Sequence, residues 1–456
     1  MSELKQYPSY FDTNIKWLGK IPNEWEINKI KKSVKSAKNG IWGEEFQGNE
    51  NDIGCVRITD FNRRNYEVKD VDFTIRNIPK GKQAPYILKQ GDLLIEKSGG
   101  GEKQPVGFVA RYGYDRPAIY ANFMARIDLN EEFMLSNYAK YLHSTLYAHR
   151  INVRSIKQTT GIQNLDTVNY FQELVPYPSL NEQLQISKFL DDCTDEIDSL
   201  VADKEKLIVL LNEKLQATIT EAVTKGLSLD VEMKGSSVES IGEIPEHWEI
   251  KRLNYLGSLQ NGISKSSEEF GFGHPFVSYG DVYKNMVLPG TVIGLVNSST
   301  FDRTTYSVKA GDVFFTRTSE TIEEIGIAST CLKTIEEATF AGFLIRFRPN
   351  SKKLTTNFAK YYFRSDIGRK YFVKEMNLVT RASLSQGLLK KFPVVLPPIE
   401  EQNQIVQYLD FNTSKIKESI KLLQEQIIKL KDYRQSIIYE AVTGKIDVRD
   451  YNKVLS

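Results

Sequence analysis

The side chains most able to do chemistry are scarce in this chain and badly spaced for it. Four histidines, His143, His149, His247 and His274, show no HExxH or other metal-binding spacing. His143 and His149 fall on an expected surface helix and read as ordinary solvated residues. No Gly-x-x-x-x-Gly-Lys-Ser/Thr phosphate loop occurs; Thr443-Gly444-Lys445 lacks the upstream glycine and reads as a helix end. Gly99-Gly100-Gly101 has no following helix pattern and reads as a flexible loop between strands. Asp230-Val231-Glu232-Met233-Lys234 resembles the acidic-x-Lys ending of a nuclease site but lacks apolar strand context. Leu396-Pro397-Pro398-Ile399 has no acid or amide before its prolines, so it is not an amino-methyltransferase tetrapeptide. Cys55, Cys193 and Cys331 are too far apart in sequence for a zinc cluster or a disulfide framework, which suits a reducing cytosol.

Two loop regions are better suited to reading nucleic acid. In the first half they carry Lys97, Ser98, Lys103 and Gln104, then Arg154, Lys157, Gln158 and Thr160. In the second half they carry Arg317, Thr318 and Ser319, then Arg381, Ser383 and Gln386. Such side chains reach base edges and phosphates. The net charge is only +2, yet acids are absent from 133–165, which holds Lys140, Arg150, Arg154 and Lys157. They are absent again from 338–365, which holds Arg346, Arg348, Lys352, Lys353, Lys360 and Arg364. A basic face hidden in a near-neutral total is the expectation.

These loops sit in a duplicated framework. Gly19-Lys20-Ile21-Pro22-Asn23-Glu24-Trp25-Glu26-Ile27 returns as Gly242-Glu243-Ile244-Pro245-Glu246-His247-Trp248-Glu249-Ile250. Asn39-Gly40-Ile41 returns as Asn261-Gly262-Ile263, and Gly91-Asp92 as Gly311-Asp312. Asn137-Tyr138-Ala139-Lys140-Tyr141 returns as Asn357-Phe358-Ala359-Lys360-Tyr361, and Glu182-Gln183 as Glu401-Gln402. The offset stays near roughly 220 residues, too long for a solenoid unit and long enough for each copy to hold its own core. The copies agree in this framework and disagree in the loops.

Each copy opens with an α+β globule, to about Pro178 and about Pro397. Cys55–Thr59 alternates like a strand, Leu93–Ile95 and Val106–Val109 are short apolar runs, and Ser136 is placed to cap a helix. Each copy closes with an amphipathic helix. The first stripe is Ile186, Leu190, Cys193, Ile197, Leu200, Lys204, Leu207, Leu211, Lys214 and Thr218. The second is Ile405, Leu409, Asn412, Ile416, Ser419, Leu423, Gln426, Leu430, Tyr433 and Ile437. Alternating four-three spacing over about 35 residues, or about 50 Å of helix, is coiled-coil spacing.

The duplicated Ile-Pro-x-x-Trp-Glu-Ile opening, the Gly-Asp strand, the Pro-x-x-x-Glu-Gln turn (Pro178 to Gln183; Pro397 with Glu401-Gln402) and the closing helices together resemble the specificity (S) subunits of type I restriction-modification enzymes. The resemblance covers almost the whole chain and rests on motif order and duplication. It implies two tandem α+β target recognition domains separated by two long helices that pair as an antiparallel coiled coil. The expected boundaries are a first recognition domain over 1–180, a helix over 181–226, a linker over 227–241, a second recognition domain over 242–397 and a second helix over 398–456. The implied partners are double-stranded DNA, two methyltransferase (M) subunits docked along the helices, and translocating restriction (R) subunits. S-adenosylmethionine, ATP and magnesium would belong to those partners, leaving this chain without a cofactor or a catalytic step. No membrane-spanning run and no signal peptide are evident, so a cytoplasmic location is expected. The alternative is an adaptor whose coiled coil joins two protein-binding modules.

Overall fold

The computed structural model describes residues 5–159, 161–228, 230–319, 324–375 and 382–451. They form two compact units, 1–204 with 425–456, and 205–424.

In the first unit the central sheet has six strands in the order Val34–Asn39, Met124–Leu129, Leu93–Glu96, Val109–Arg111, Glu67–Val68 and Phe61–Asn62. Leu93–Glu96 lies at its centre and is buried along its whole length, which explains an uninterrupted apolar run in place of alternation. The helix Ser136–Ala148 adds Tyr138, Tyr141 and Leu142 to the core. In the second unit the corresponding sheet runs Gly257–Asn261, Leu344–Pro349, Val313–Thr316 and Ala328–Thr330. Equivalent residues share a register: Asn39, Ala125 and Ile95 pair across one sheet, Asn261, Ile345 and Phe315 across the other.

The repeated motifs are turns and tethers. Gly91 and Gly311 both take φ +95, where a side chain would be strained. The following Asp92 and Asp312 accept from the Lys89 and Lys309 backbone N–H groups, closing the turn into the central strand. In the opening motif, the strand Lys20–Pro22 pairs with Tyr10–Asp12, and Glu243–Pro245 with Met233–Gly235. The stretch 227–241, expected as a linker, therefore supplies a paired strand.

Several local expectations are corrected. Cys55–Thr59 is not one strand; Asp52–Val56 is extended and Ile58–Asp60 is a 3-10 turn closed by the Asp60 carboxylate. Val106–Phe108 is buried but precedes the strand Val109–Arg111. Ser136 is the first helical residue, not the cap, and its hydroxyl faces Arg111.

The closing helices are Leu180–Lys225 and Ile399–Val442. Within the first unit, Asp198 meets Arg434 and Lys204 meets Gln426, so one helix ascends as the other descends. The second unit repeats the antiparallel arrangement, packing Ile219, Ala222 and Val223 into one core with Ile405, Val406 and Leu409. The buried and half-buried row of the first helix is Ile186, Leu190, Thr194, Ile197, Val201, Lys204, Ile208, Leu211, Leu215, Ile219 and Ala222. That of the second is Ile405, Leu409, Thr413, Ile416, Ile420, Leu423, Ile427, Leu430, Arg434, Ile438 and Ala441. Both advance by four, four, three, four, three, four, three, four, four and three, which averages to the turn of a straight helix. A strict four-three row drifts off this face, and that drift corrects two seam residues: Leu200 and Leu207 are each 44% exposed, with Val201 and Ile208 in their places.

Leu190→Ala or Leu409→Ala, at fully buried positions, should therefore cost roughly 2–5 kcal/mol. Leu207→Ala should stay within about 0.5 kcal/mol. Denaturant midpoints of the three variants check the order; equal losses at Leu190 and Leu207 would contradict this seam.

Candidate nucleic-acid interface

The two loop regions of each copy, distant in sequence, meet in a small sheet beyond the end of the central strand. In the first copy Ser98–Gly99 pairs with Ile162–Leu165, which pairs in turn with Ile156–Thr159. The register aligns Ser98, Asn164 and Lys157 in one row, and Gly99, Gln163 and Gln158 in the next. Lys97 Nζ donates to Asn39 Oδ1 at 2.7 Å, and Ser98 Oγ to Asn164 Oδ1 at 2.5 Å. Lys157 is largely exposed and pairs with Asp166 at 2.7 Å; Arg154 is exposed and lies 3.7 Å from Glu173. Lys103, Gln104 and Gln158 are exposed. The Gln104 amide faces the Arg63 guanidinium, which it satisfies through its carbonyl oxygen.

The second copy repeats the plan with different side chains. Thr318–Ser319 pairs with Ala382–Ser383, setting Thr318 opposite Ser383. The Arg317 carbonyl accepts from Leu384 N as the Lys97 carbonyl accepts from Leu165 N. Gln386 opens a helix capped by Ser385, and its Nε2 donates to Asn261 Oδ1 at 2.8 Å. Thr160 and Arg381 lie outside the described residues. Asn39 and Asn261, the motif asparagines, thus each hold one of the candidate side chains, Lys97 and Gln386. Their repeated spacing in the sequence carried that signal, although neither was singled out as a site residue.

The ground beneath the two sheets also differs. Glu96 is buried against Arg63, which lies over the Phe108 ring. Burial pushes the Glu96 carboxyl up to about 7, against the pull of that guanidinium. The second copy has Thr316 there, its hydroxyl donating to the Glu324 carbonyl.

The acid-free stretches form less of a basic face than their cation count suggests: Arg150, Arg154, Lys157, Lys352 and Lys353 are exposed, but the others turn inward. Lys140 is buried between Glu67 and Asp191, and Lys360 is buried against Asp410. Arg348 is paired twice with Asp312. Burial pushes Arg346 down to about 10 and lowers Arg364 as well. These cations are paired with acids or hydrogen-bonded to carbonyl oxygens remote in sequence, which a local charge count cannot register.

His143 is likewise corrected. It is fully buried, with Nδ1 2.8 Å from the Tyr170 hydroxyl, and burial holds its pKa down to about 4. The unfolded chain takes up a proton near the ordinary value of 6.5 and the folded chain does not. Stability is therefore full above that value and falls as the pH drops toward about 4, by up to roughly 3 kcal/mol. His143→Gln should flatten the pH dependence of the unfolding free energy over this range; an unchanged slope would rule His143 out as its source. Among the described residues no three His, Cys, Asp or Glu side chains cluster to hold a metal ion, and no helix is long and apolar enough to cross a membrane.

Each globule is tethered to its unit's helices by the same groups. Trp25 Nε1 donates to Glu182, and Trp248 Nε1 to Glu401. Gln183 accepts from Leu135 N and donates to the Phe133 and Pro178 carbonyls; Gln402 accepts from Thr355 N and donates to those of Lys353 and Pro397. Lys140 and Tyr141 hold Asp191, as Lys360 and Tyr361 hold Asp410. The Glu-Gln turn and the Asn-aromatic-Ala-Lys-Tyr motif are thus two faces of one joint.

Fold and site define a duplicated α+β protein whose copies each carry a small polar sheet and close with a long helix. Residues 245–431 match the type I restriction modification DNA specificity domain. The chain is 24% identical to the type I restriction enzyme EcoKI specificity subunit of Escherichia coli (strain K12), over 94% of this chain and 90% of that protein. It is 25% identical to the MjaVIII specificity subunit of Methanocaldococcus jannaschii, over 95% of each. A solved type I R-M system chain shares the fold with a TM-score of 0.70 at 15% identity, covering 92% of this chain and 98% of that one. The HsdS subunit from Thermoanaerobacter tengcongensis does so with a TM-score of 0.54 at 16% identity, covering 93% and 98%. Residues 245–431 thus carry that domain, and over nearly its whole length the chain is similar to the specificity subunits of type I restriction-modification enzymes.

Proposed function

We propose that this chain reads a bipartite DNA site, one half per copy, and presents it to methyltransferase and restriction subunits for adenine methylation or cleavage. The observation that carries this reading is the pairing of a recurrent joint with divergent polar sheets: Trp, Gln and Lys-Tyr tethers recur, while Lys97-Ser98 with Lys157-Gln158 becomes Arg317-Thr318 with Ser383 and Gln386. Two readers of different sequence on one scaffold have this form. The mechanism is positioning. Cations such as Lys103, Arg154 and Lys157 hold phosphates, and Ser98, Gln104, Gln158, Thr318, Ser319 and Gln386 read edges, each good bidentate pair contributing about 1–3 kcal/mol of discrimination. Thr160 and Arg381 belong to the same proposed set. Two M subunits dock along the helices and R subunits join them. S-adenosylmethionine, ATP and magnesium are bound by those partners, this chain performs no catalytic step, and the complex works in the cytoplasm. The adaptor alternative leaves the divergence of the two sheets without a purpose.

The test is methylome sequencing of cells carrying a chimera in which residues 17–178 come from a different specificity subunit. One half-site should change and the other persist, since distant sites without shared partners act additively. Residues inserted after Lys204 should keep both halves and alter only the spacing between them, by about 1.5 Å of helix each. Alteration of both halves in a chimera that still methylates would refute the two-reader function.

A further inference from the structure

One aromatic residue recurs beside both readers and is more than half exposed in each copy. Phe123 is 53% exposed and Phe343 is 64% exposed, each in a tight turn between fully buried neighbours, Tyr120 and Met124 in one copy, Phe340 and Leu344 in the other. The turns are pinned alike. Met124 N donates to Ala121 O, and Leu344 N to Ala341 O. Gly40 and Gly262 press on them so closely that a Cβ would lie 2.2 Å from a turn carbonyl in either copy. This close approach accounts for the glycine of the repeated Asn-Gly-Ile. The Phe123 carbonyl accepts from Lys97 N and Ser98 N, and the Phe343 carbonyl from Arg317 N. A single exposed apolar residue needs no explanation. Two at equivalent places, held rigidly where each reader strand begins and bonded to cationic or hydroxyl residues rather than acids, do need one.

We propose that Phe123 and Phe343 are DNA-contacting residues: each ring enters its own half-site as an apolar wedge, stacking on the bases of an opened step. The inference rests on the DNA-reading function above. Rings of this kind open base steps, and base–aromatic stacking is tolerant of sequence. The neighbouring Lys97 and Arg317 therefore supply the charge, and the phenylalanines the apolar contact.

The experiment uses the chain assembled with its methyltransferase subunits and duplexes carrying 2-aminopurine at successive positions of each half-site. Wild-type protein should brighten the probe at one step per half. Phe123→Ala should abolish brightening in the first half only and weaken binding roughly ten-fold or more. Phe123→Trp should retain both, and Phe343→Ala should mirror the effect in the second half. The salt dependence of binding should stay unchanged in each variant, because no phosphate contact is lost. Wild-type binding, methylation and fluorescence in both alanine variants would overturn the wedge while leaving two-half reading intact. So would a loss accompanied by a lowered Tm, which would assign the rings to packing. Wild-type protein that selects no bipartite site would instead sink the reading function itself.

Discussion

Trp25→Ala is expected to lower the stability of the first unit by roughly 3–5 kcal/mol, and Trp25→Phe by about 1–2 kcal/mol. The indole is 2% exposed and stands edge-on to Tyr7, with ring centroids 5.7 Å apart. It also closes over Gly444, where a Cβ would lie 3.0 Å from the ring. Its Nε1 donates to Glu182 at 3.1 Å, and Glu182 is itself buried, bonded otherwise to Ser179 at the start of the first helix. Alanine removes the largest apolar contact of the opening motif and leaves a buried carboxylate with one partner fewer. Phenylalanine keeps most of the packing and loses only the bond. Denaturant unfolding followed by near-ultraviolet circular dichroism separates the two losses. A loss below about 1 kcal/mol for Trp25→Ala would show that the motif is not the joint described here.

Asp410→Ala should cost the second unit about 2–3 kcal/mol, and Asp191→Ala distinctly less in the first. Lys360 has a side chain 10% exposed and an Asp410 oxygen at 2.7 Å, and the same oxygen accepts from the Tyr361 hydroxyl. Removing Asp410 strands an ammonium in a largely dry site and leaves the Tyr361 hydroxyl only Thr413 Oγ1 at 3.3 Å. The cost falls below that of a fully buried pair because Asp410 itself is 52% exposed and screened by water. Lys140, by contrast, keeps Glu67 at 2.9 Å when Asp191 is removed. Burial tends to raise the Asp410 carboxyl, but the bonds from Lys360 and Tyr361 outweigh it and hold the group below its ordinary value near 3.8. The contribution is therefore full above that value and lost as the pH falls through the lower folded value. Double-mutant cycles with Lys360→Met and Lys140→Met measure both couplings; equal losses at Asp410 and Asp191 would remove Glu67 from the account. Because each joint sets the angle of one globule on its helices, Asp410→Ala should also lower methylation at sites whose second half is marginal.

The framework was legible because its signals are local and occur twice. The Gly-Asp turn needs a glycine at φ +95 and an acid immediately after it, and both copies spell this out. The closing helices announce themselves by apolar spacing alone, and the loops Lys97–Gln104 and Arg154–Thr160 stood out by residue type. The same offset pairs Tyr120-Ala121-Asn122-Phe123-Met124 with Phe340-Ala341-Gly342-Phe343-Leu344, so the recurrent phenylalanine was present in the sequence as well. Its exposure was not, since a phenylalanine in a mostly apolar stretch reads as core.

By itself, then, the sequence determined the duplication, the order of α+β globule and long helix within each copy, and the resemblance to type I specificity subunits, all of which depend on spacing and residue order along one chain. Tertiary structure decided which groups meet. It turned Lys140, Arg346, Arg348 and Lys360 inward onto remote acids and carbonyls, buried His143 against Tyr170, and replaced Leu200 and Leu207 with Val201 and Ile208 in the seam. It also brought Ser98 into register with Asn164 and Lys157, a row assembled from two distant loops. The physical reason is common to all of these. A charge, a ring or a leucine has the same covalent identity whether buried or wet, and its environment is set by partners far away in the chain.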